Sequence, residues 1–324
     1  MLSVLVIHQK KQCGIGNIIF RLITELKIGV CLLWTVIMLL STSLQADENT
    51  LFDQLDQLET LLQVPHQKTR ASMIDAAQVW RRQKDKERWD VQPMQLSPKV
   101  KKEAMDLLTS MGLVNALKPD KQHYDYILWL GATIPRMRSR LNQIINLWNQ
   151  GIRAKHIVSL TGQRPLTAKI DKPKLLLQEA NLSTKNSLVY PSNETEAAKM
   201  IWLLKDLPTT MQTLGCQFIS SERRWQSTYW QRPNTRDTLK KWLATKPTPG
   251  SVLVISDQPN ALYQKVVTET ELPDTFTVSV SAEAISSKND ISLYLDALAL
   301  WLHNMPREKT MSKSLQPVSA PVGH

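Results

Sequence analysis

The chain has 324 residues, 42% of them apolar, which is enough for one large buried core with an extension or for two modest domains. A formal net charge of +11 points either to an anionic partner or to a basic, well-solvated surface. Cys13, Cys31 and Cys216 have no spacing suited to zinc or a redox pair, and the six histidines are scattered, so the sequence offers no metal set.

The amino terminus reads as an address. Ile28 to Leu40 is an apolar run of roughly 13 residues, shorter than the ~20 that cross a bilayer comfortably. Lys27 precedes it, and Ser-Thr-Ser-Leu-Gln-Ala followed by Asp47-Glu48 succeeds it, the order of a secretory signal cleaved after Ala46. Starting translation at Leu26 would make that signal compact and leave residues 1–25 untranslated. The rival reading is an uncleaved anchor from Leu26 to Leu44. Lys10, Lys11, Arg21 and Lys27 all lie on its amino side, and the positive-inside rule then places the chain beyond the anchor outside the cytoplasm. Both readings export residues 47–324, to the periplasm or to the outer face of an inner membrane, and leave Cys216 as the mature chain's single cysteine.

Residues 47–118 read as a helical extension. Leu51, Leu55, Leu58 and Leu62 share one helical face up to Pro65. A second helix is expected from Thr69 to Trp89, its end passing into the charge run Arg81 to Arg88, which reads as a solvated face. A third begins at Ser97-Pro98 and ends near Gly112. No chemistry stands out in this region.

From about residue 119 to 305 the pattern changes to short apolar runs alternating with helices. Tyr126–Leu130 breaks at Gly131, and a helix carrying Ile134, Met137, Leu141, Ile144, Ile145 and Trp148 runs to Gly151. His156–Leu160 then breaks at Thr161-Gly162. Connections this short make a parallel crossover. Further strands are expected at Cys216–Ser220, Ser251–Ile255 and Thr275–Val280. The helices between them run from Ala197 to Lys205, from Thr238 to Leu243 and through Tyr263 and Val267, and the last from Ile291 to His303. Asn193 is placed to cap the first of these, with Glu196 at the capping-box position. The polar stretch 165–193 is either a lid or a surface insertion, and the tail from Pro306 to residue 324 is expected to be disordered. Five strands alternating with helices specify a doubly wound, mostly parallel α/β sheet of Rossmann-like type.

In such sheets ligands collect at the loops leaving the carboxyl ends of the strands. Those loops supply Gly131, Thr133 and Arg136, then Thr161, Gly162 and Arg164, then Thr235 and Arg236, and finally Ser256 and Gln258 as candidate ligand-binding residues. Arginines there suit a phosphate or carboxylate gripped by paired hydrogen bonds. Glu222, with Glu194 or Asp257, is a candidate general base. Each arginine taken alone is more often one half of a surface ion pair.

The ordered set of motifs resembles the YdcF-like/SanA-like family of bacterial envelope-associated domains. The likeness runs through Leu130-Gly131 with Arg136 to Arg140 and Gly151, then Ser159-Leu160-Thr161-Gly162. It continues with Glu194-Thr195-Glu196-Ala197, Ser221-Glu222 with Asn234-Thr235, and Val254-Ile255-Ser256. Two positions depart from the family pattern: Gln163 replaces the second glycine of a Ser-Gly-Gly turn, and Gln258-Pro259-Asn260 stands where a histidine is expected. The resemblance implies a Rossmann-like fold and a small-molecule or phosphate-bearing ligand; some relatives are reported to bind S-adenosylmethionine, and others are linked to envelope integrity.

Two functions compete. One is an exported domain that binds, or hydrolyses, an anionic small molecule. The other is a non-catalytic envelope-assembly protein using its helical extension and the Trp225/Tyr229/Trp230 loop as a partner surface. The chain has no Gly-rich dinucleotide turn, Ser-elbow, P-loop or zinc motif. Export and the lack of a recognisable module speak against nucleic acid.

Overall fold

The computed structural model describes residues 49–83, 86, 88–173, 176, 190–284 and 290–306. The expected signal or anchor and the untranslated leader lie outside the described residues, as do most of the 165–193 insertion and the tail beyond 306. No helix among the described residues is long and apolar enough to cross a membrane. The chain divides into two units, Met1–Leu58 and Glu59–His324. In the first, residues 49–58 are helical, the start of helix α1 (49–61).

The second unit contains a five-stranded, all-parallel sheet. Its strands are β1 (His123–Leu130), β2 (Arg153–Gly162), β3 (Gln217–Ser221), β6 (Ser251–Asp257) and β7 (Thr277–Glu283), in the order β3-β2-β1-β6-β7. Tyr126 sits opposite His156 on one side and Val252 on the other. Both faces of the central strands are covered, as parallel strands require, and alternate residues enter different cores. Ile127 and Trp129 pack with Met137, Leu141 and Ile201 on one face, and Tyr126, Leu128 and Leu130 with Leu239, Trp242 and Val267 on the other. All five expected strands and the doubly wound architecture are present. The chain winds β1-β2-β3 to one side of β1 and then returns to build β6-β7 on the other. The crevice between the carboxyl ends of β1 and β6 is therefore the topological switch point.

The helices are fixed by local signals. α2 (Arg70–Ala76) starts at Thr69, and α3 (Pro98–Ser110) starts at Ser97, whose hydroxyl accepts from Val100 N at 3.3 Å, with proline in the first turn. α4 (Ile134–Asn149) ends before Gly151, whose φ of +97° only glycine adopts readily. A one-turn α5 (Ala168–Asp171) lies in the insertion, whose ends meet through a bridge between Pro165 and Asn193. Asn193 caps α6 (Glu194–Leu204) by accepting from Glu196 N at 3.0 Å. The Glu196 carboxylate reaches Ser192 N at 2.7 Å, one residue short of the capping-box partner. The reciprocal box forms instead at α8 (Thr235–Leu243), between Asn234 and Asp237. α7 (Thr209–Leu214), α9 (Ala261–Glu271) and α10 (Ile291–Asn304) complete the set.

Two elements differ from the sequence expectation. The helix expected from Thr69 to Trp89 ends at Ala76; a 3-10 turn carries the chain to Trp80, and Arg81 is extended. Asp296 on α10 explains the break, because it takes both the backbone N–H of Arg82, at 3.0 Å, and its guanidinium. A buried carboxylate that binds Arg82 in this way competes with the helix at that point, although the charge run is rich in good helix formers. The aromatic stretch after β3, expected to be a loop, is a hairpin of β4 (Arg224–Gln226) and β5 (Tyr229–Gln231).

Candidate functional site

The carboxyl edge of the sheet holds two charged clusters, and the β1–α4 loop separates them. On the β2 side, Arg164 is the centre. It grips Asp171 with two nitrogens, at 2.9 and 2.8 Å, donates through Nε to Glu194 at 3.1 Å, and reaches Ala132 O at 3.3 Å. Asp171 also accepts from Ile134 N, in the first turn of α4, at 3.3 Å, and from Thr167 N at 2.8 Å. Glu194 accepts from Gly162 N at 3.2 Å. Helix starts and glycine turns are where a Rossmann-like sheet offers N–H groups to a ligand anion. Here two protein carboxylates already take them.

The two glycines are explained by this filling. A Cβ on Gly131 would lie 1.9 Å from Glu194 Oε1, and one on Gly162 would lie 2.4 Å from Pro233 Cγ. Burial pushes the Glu194 carboxyl up, with Arg164 and the Gly162 N–H opposing. Burial also works against ionisation of Asp171, but hydrogen bonds from Arg164 and Thr167 outweigh it and hold that carboxyl low. Thr161 is buried and its hydroxyl joins Thr195 and Ile219 O, at 3.0 and 3.1 Å, so it ties β2 to α6 and β3.

On the β6 side the balance is reversed. Asp257, the last residue of β6, accepts from Nε of Arg140 at 2.8 Å, and its other oxygen lies 3.3 Å from Nη1 of Arg136, an ion pair without a hydrogen bond among the described residues. Arg140 also donates to Leu130 O and Gly131 O, at 2.9 and 3.0 Å, so one guanidinium laces the ends of β1 and β6 across the switch point. Behind it stands Asp296, fully buried, bonded to Arg82 and 4.0 Å from Nε of Arg88. Among the described residues four arginines, 82, 88, 136 and 140, therefore share two aspartates, 257 and 296. Glu283 at the end of β7 is exposed, with Ser139 Oγ 3.5 Å from its carboxylate.

The electrostatics record this excess. Burial, with Arg136 and Arg82 close by, pulls the Arg88 guanidinium down to about 9 against the pull of Asp296 and Asp257. Its Nε is buried without a hydrogen-bond partner among the described residues. Partial burial also lowers Arg136, whose side chain is 32% exposed and is the cluster's face to solvent. Burial resists ionisation of Asp257, yet Arg140 and Arg136 hold its carboxyl below the usual range. Nearby, the Ser256 hydroxyl and the side-chain amide of Asn260 are buried and without partners among the described residues.

The sequence-predicted residues thus separate. Gly131, Thr161, Gly162, Arg164 and Glu194 form the β2-side cluster. Arg136 and Asp257 form part of the β6-side cluster, and Ser256 precedes Asp257 in β6. Gln258 is buried and its amide nitrogen holds Gly112 O and Asn115 O, at 2.9 and 2.7 Å, which ties the end of α3 to the sheet edge. Thr133 precedes α4 without a side-chain cap bond. Thr235 opens α8, and Arg236 is engaged by Glu271 and by Asn304, the latter at 2.8 Å. Glu222 is 73% exposed beside Lys241, at 3.5 Å, and is not brought to either cluster.

Sequence reasoning missed Arg82, Arg88, Arg140, Asp171 and Asp296 as site residues. Two signals were present. Arg136 and Arg140 are four apart on one helix face, and Asp296 is the single carboxylate in the apolar helix Ile291–Asn304. Among the described residues no group of three or more His, Cys, Asp or Glu side chains could hold a metal. The fold and this edge define an α/β sheet protein with an arginine-rich switch point. Comparison with protein-family models, curated proteins and solved structures finds no match.

Proposed function

We propose that this is an exported, envelope-associated protein of YdcF-like type that binds an anionic small molecule, phosphate- or carboxylate-bearing, at the β1–β6 switch point. The observation that carries the reading is the surplus of arginine there: among the described residues four guanidiniums against two carboxylates, with one Nε left without a hydrogen bond. A buried surplus of like charge is costly, and a bound anion removes that cost while gaining charge-assisted hydrogen bonds. Arg136, partly exposed, meets the ligand, and Arg88 completes the grip. Export rests on the basic, apolar, small-residue order of residues 26–46.

Binding is favoured over hydrolysis. Of the three candidate bases, Glu222 is remote, and Asp257 is held ionised by two arginines. Glu194 has a raised carboxyl that would suit proton transfer, but both of its oxygens are already bonded.

The test is thermal stabilisation of the full chain by sulfate, inorganic phosphate, nucleotides, S-adenosylmethionine, sugar phosphates and prenyl phosphates. A phosphate-bearing compound is expected to raise Tm in the wild type, and Arg136→Ala and Arg88→Ala should each abolish the rise. A panel without any shift, or a shift that survives both substitutions, overturns the reading.

A further inference from the structure

Between β3 and α8 the chain leaves the sheet edge as a hairpin, β4–β5, joined by a two-residue turn at Ser227 and Thr228. Trp225 and Trp230 face each other across it, in edge contact with ring centroids 5.3 Å apart, and Arg223 lies 5.2 Å from the Trp230 ring centre. Tyr229 pairs with Gln226 and so points from the opposite face. Trp225, Tyr229 and Trp230 are 56, 51 and 54% exposed, and all three belong to this hairpin.

Two strands of three residues are marginal in water without an apolar face buried against something. This hairpin exposes aromatic rings on both faces, so its apolar surface adds little to folding. The charge beside the rings is one-sided. From 222 to 232 the chain carries Arg223, Arg224 and Arg232 against Glu222 alone, and Glu222 is itself paired with Lys241. Arg224 reaches Asp237 at the start of α8 while its side chain stays largely exposed.

We infer that the β4–β5 hairpin is a docking element for an anionic lipid bilayer surface, its tryptophans and tyrosine entering the headgroup layer while its arginines meet the lipid phosphates. Tryptophan and tyrosine have an apolar body with a polar handle and settle at membrane–water interfaces. Basic side chains near such a surface add attraction that depends on anionic lipid and on salt. A fluid interface takes both faces of an inserted tip, whereas a protein groove reads one. The inference rests on the hairpin and stands independently of the switch-point ligand.

The test places an environment-sensitive NBD fluorophore at the tip, on Thr228→Cys, in full-length protein whose Cys13, Cys31 and Cys216 are serine. Reading the tip itself separates its docking from any contribution of the amino terminus. Vesicles of phosphatidylglycerol and phosphatidylcholine in equal parts are expected to shift the emission to the blue. Phosphatidylcholine alone should do so weakly, and high salt should reduce the shift. Trp225→Ser with Trp230→Ser should abolish it; Arg223→Gln with Arg224→Gln, which leaves the aromatics in place, should reduce it on anionic vesicles only. No shift on anionic vesicles overturns the inference. So does an equal shift on single-stranded DNA or on a polyanionic polysaccharide without lipid, which would make the hairpin a binder of soluble polymers.

Discussion

The two clusters at the sheet edge use the same chemistry to opposite ends. On the β2 side Arg164 faces two carboxylates, and the N–H groups of Ile134 and Gly162, which a ligand anion would seek, are already taken by Asp171 and Glu194. On the β6 side four arginines face two carboxylates, and the guanidinium of Arg88 is drawn down to about 9. The first cluster holds its own anions and is a latch between β1, β2, α4 and α6. The second holds fewer anions than cations among the described residues and is the site we propose. The difference teaches that an arginine at a strand end says little by itself; the local count of opposing charge decides its role.

The largest effect that would break this comparison comes from removing the latch's cation. Arg164→Met leaves Asp171 and Glu194 buried without that partner, and breaking a buried pair in this way costs about 3–5 kcal/mol. Urea unfolding should report that loss, while any phosphate-induced rise in Tm persists in what remains folded. A stable Arg164→Met protein that no longer responds to phosphate would reverse the two roles. Gly131→Ala should come next, at about 1–3 kcal/mol, since the added methyl meets a carboxylate that Arg164 holds in place. Shortening that carboxylate in the same chain, with Glu194→Ala, should recover the steric part of the loss.

The site side is sharpened by pH. Burial and the neighbouring arginines pull the Arg88 guanidinium down to about 9, so the surplus that attracts an anion should weaken as pH approaches that value. Affinity for sulfate, whose own charge is constant, should fall as pH rises towards 9. Stability at low pH runs the other way. Asp257 and Asp171 have lowered folded values, so their contribution is present above the unfolded carboxyl value and is lost as pH falls through the folded one. Glu194, with a raised folded value, contributes only below its unfolded value and loses that contribution as pH rises through the folded one. Unfolding of Asp257→Asn across acid pH should therefore show a shallower decline than the wild type.

The sheet was legible because it is written in local pattern. Apolar runs stop at Gly131 and Gly162, Gly151 ends a helix, and Asn193 begins one, all readable without tertiary knowledge. The site was half legible. Arg136, Arg164, Asp257 and Glu194 lie at a strand end, in a loop or in first turns where the sheet rule points. Arg82, Arg88 and Asp296 come from segments far apart in sequence, and their meeting depends on how Arg82, Arg88 and Met94 meet the last helix, α10. No periodicity carries that information. It is also why the charge run read as a solvated helix face: the carboxylate that takes the Arg82 N–H lies 214 positions further along the chain.

The smallest expected effect tests whether the two-cluster description is complete. Glu222 and Arg236 were expected at the site, yet Glu222 is mostly solvent-facing beside Lys241, and Arg236 is engaged by Glu271 and Asn304. Glu222→Gln should leave phosphate binding unchanged and shift stability by no more than about 0.5 kcal/mol, as for surface substitutions generally. Arg236→Ala removes a partly buried ion pair that joins α8 to α9, so it should lower Tm without altering the ligand-induced rise. If Glu222→Gln abolished that rise, the ligand would have to extend from the switch point past β2 to the far side of β3, across a latch that already holds its own anions. Such a ligand would need to displace Glu194 from Gly162, and Glu194→Ala would then bind it more tightly than the wild type. The contrast between those two variants therefore measures how far along the sheet edge the site reaches.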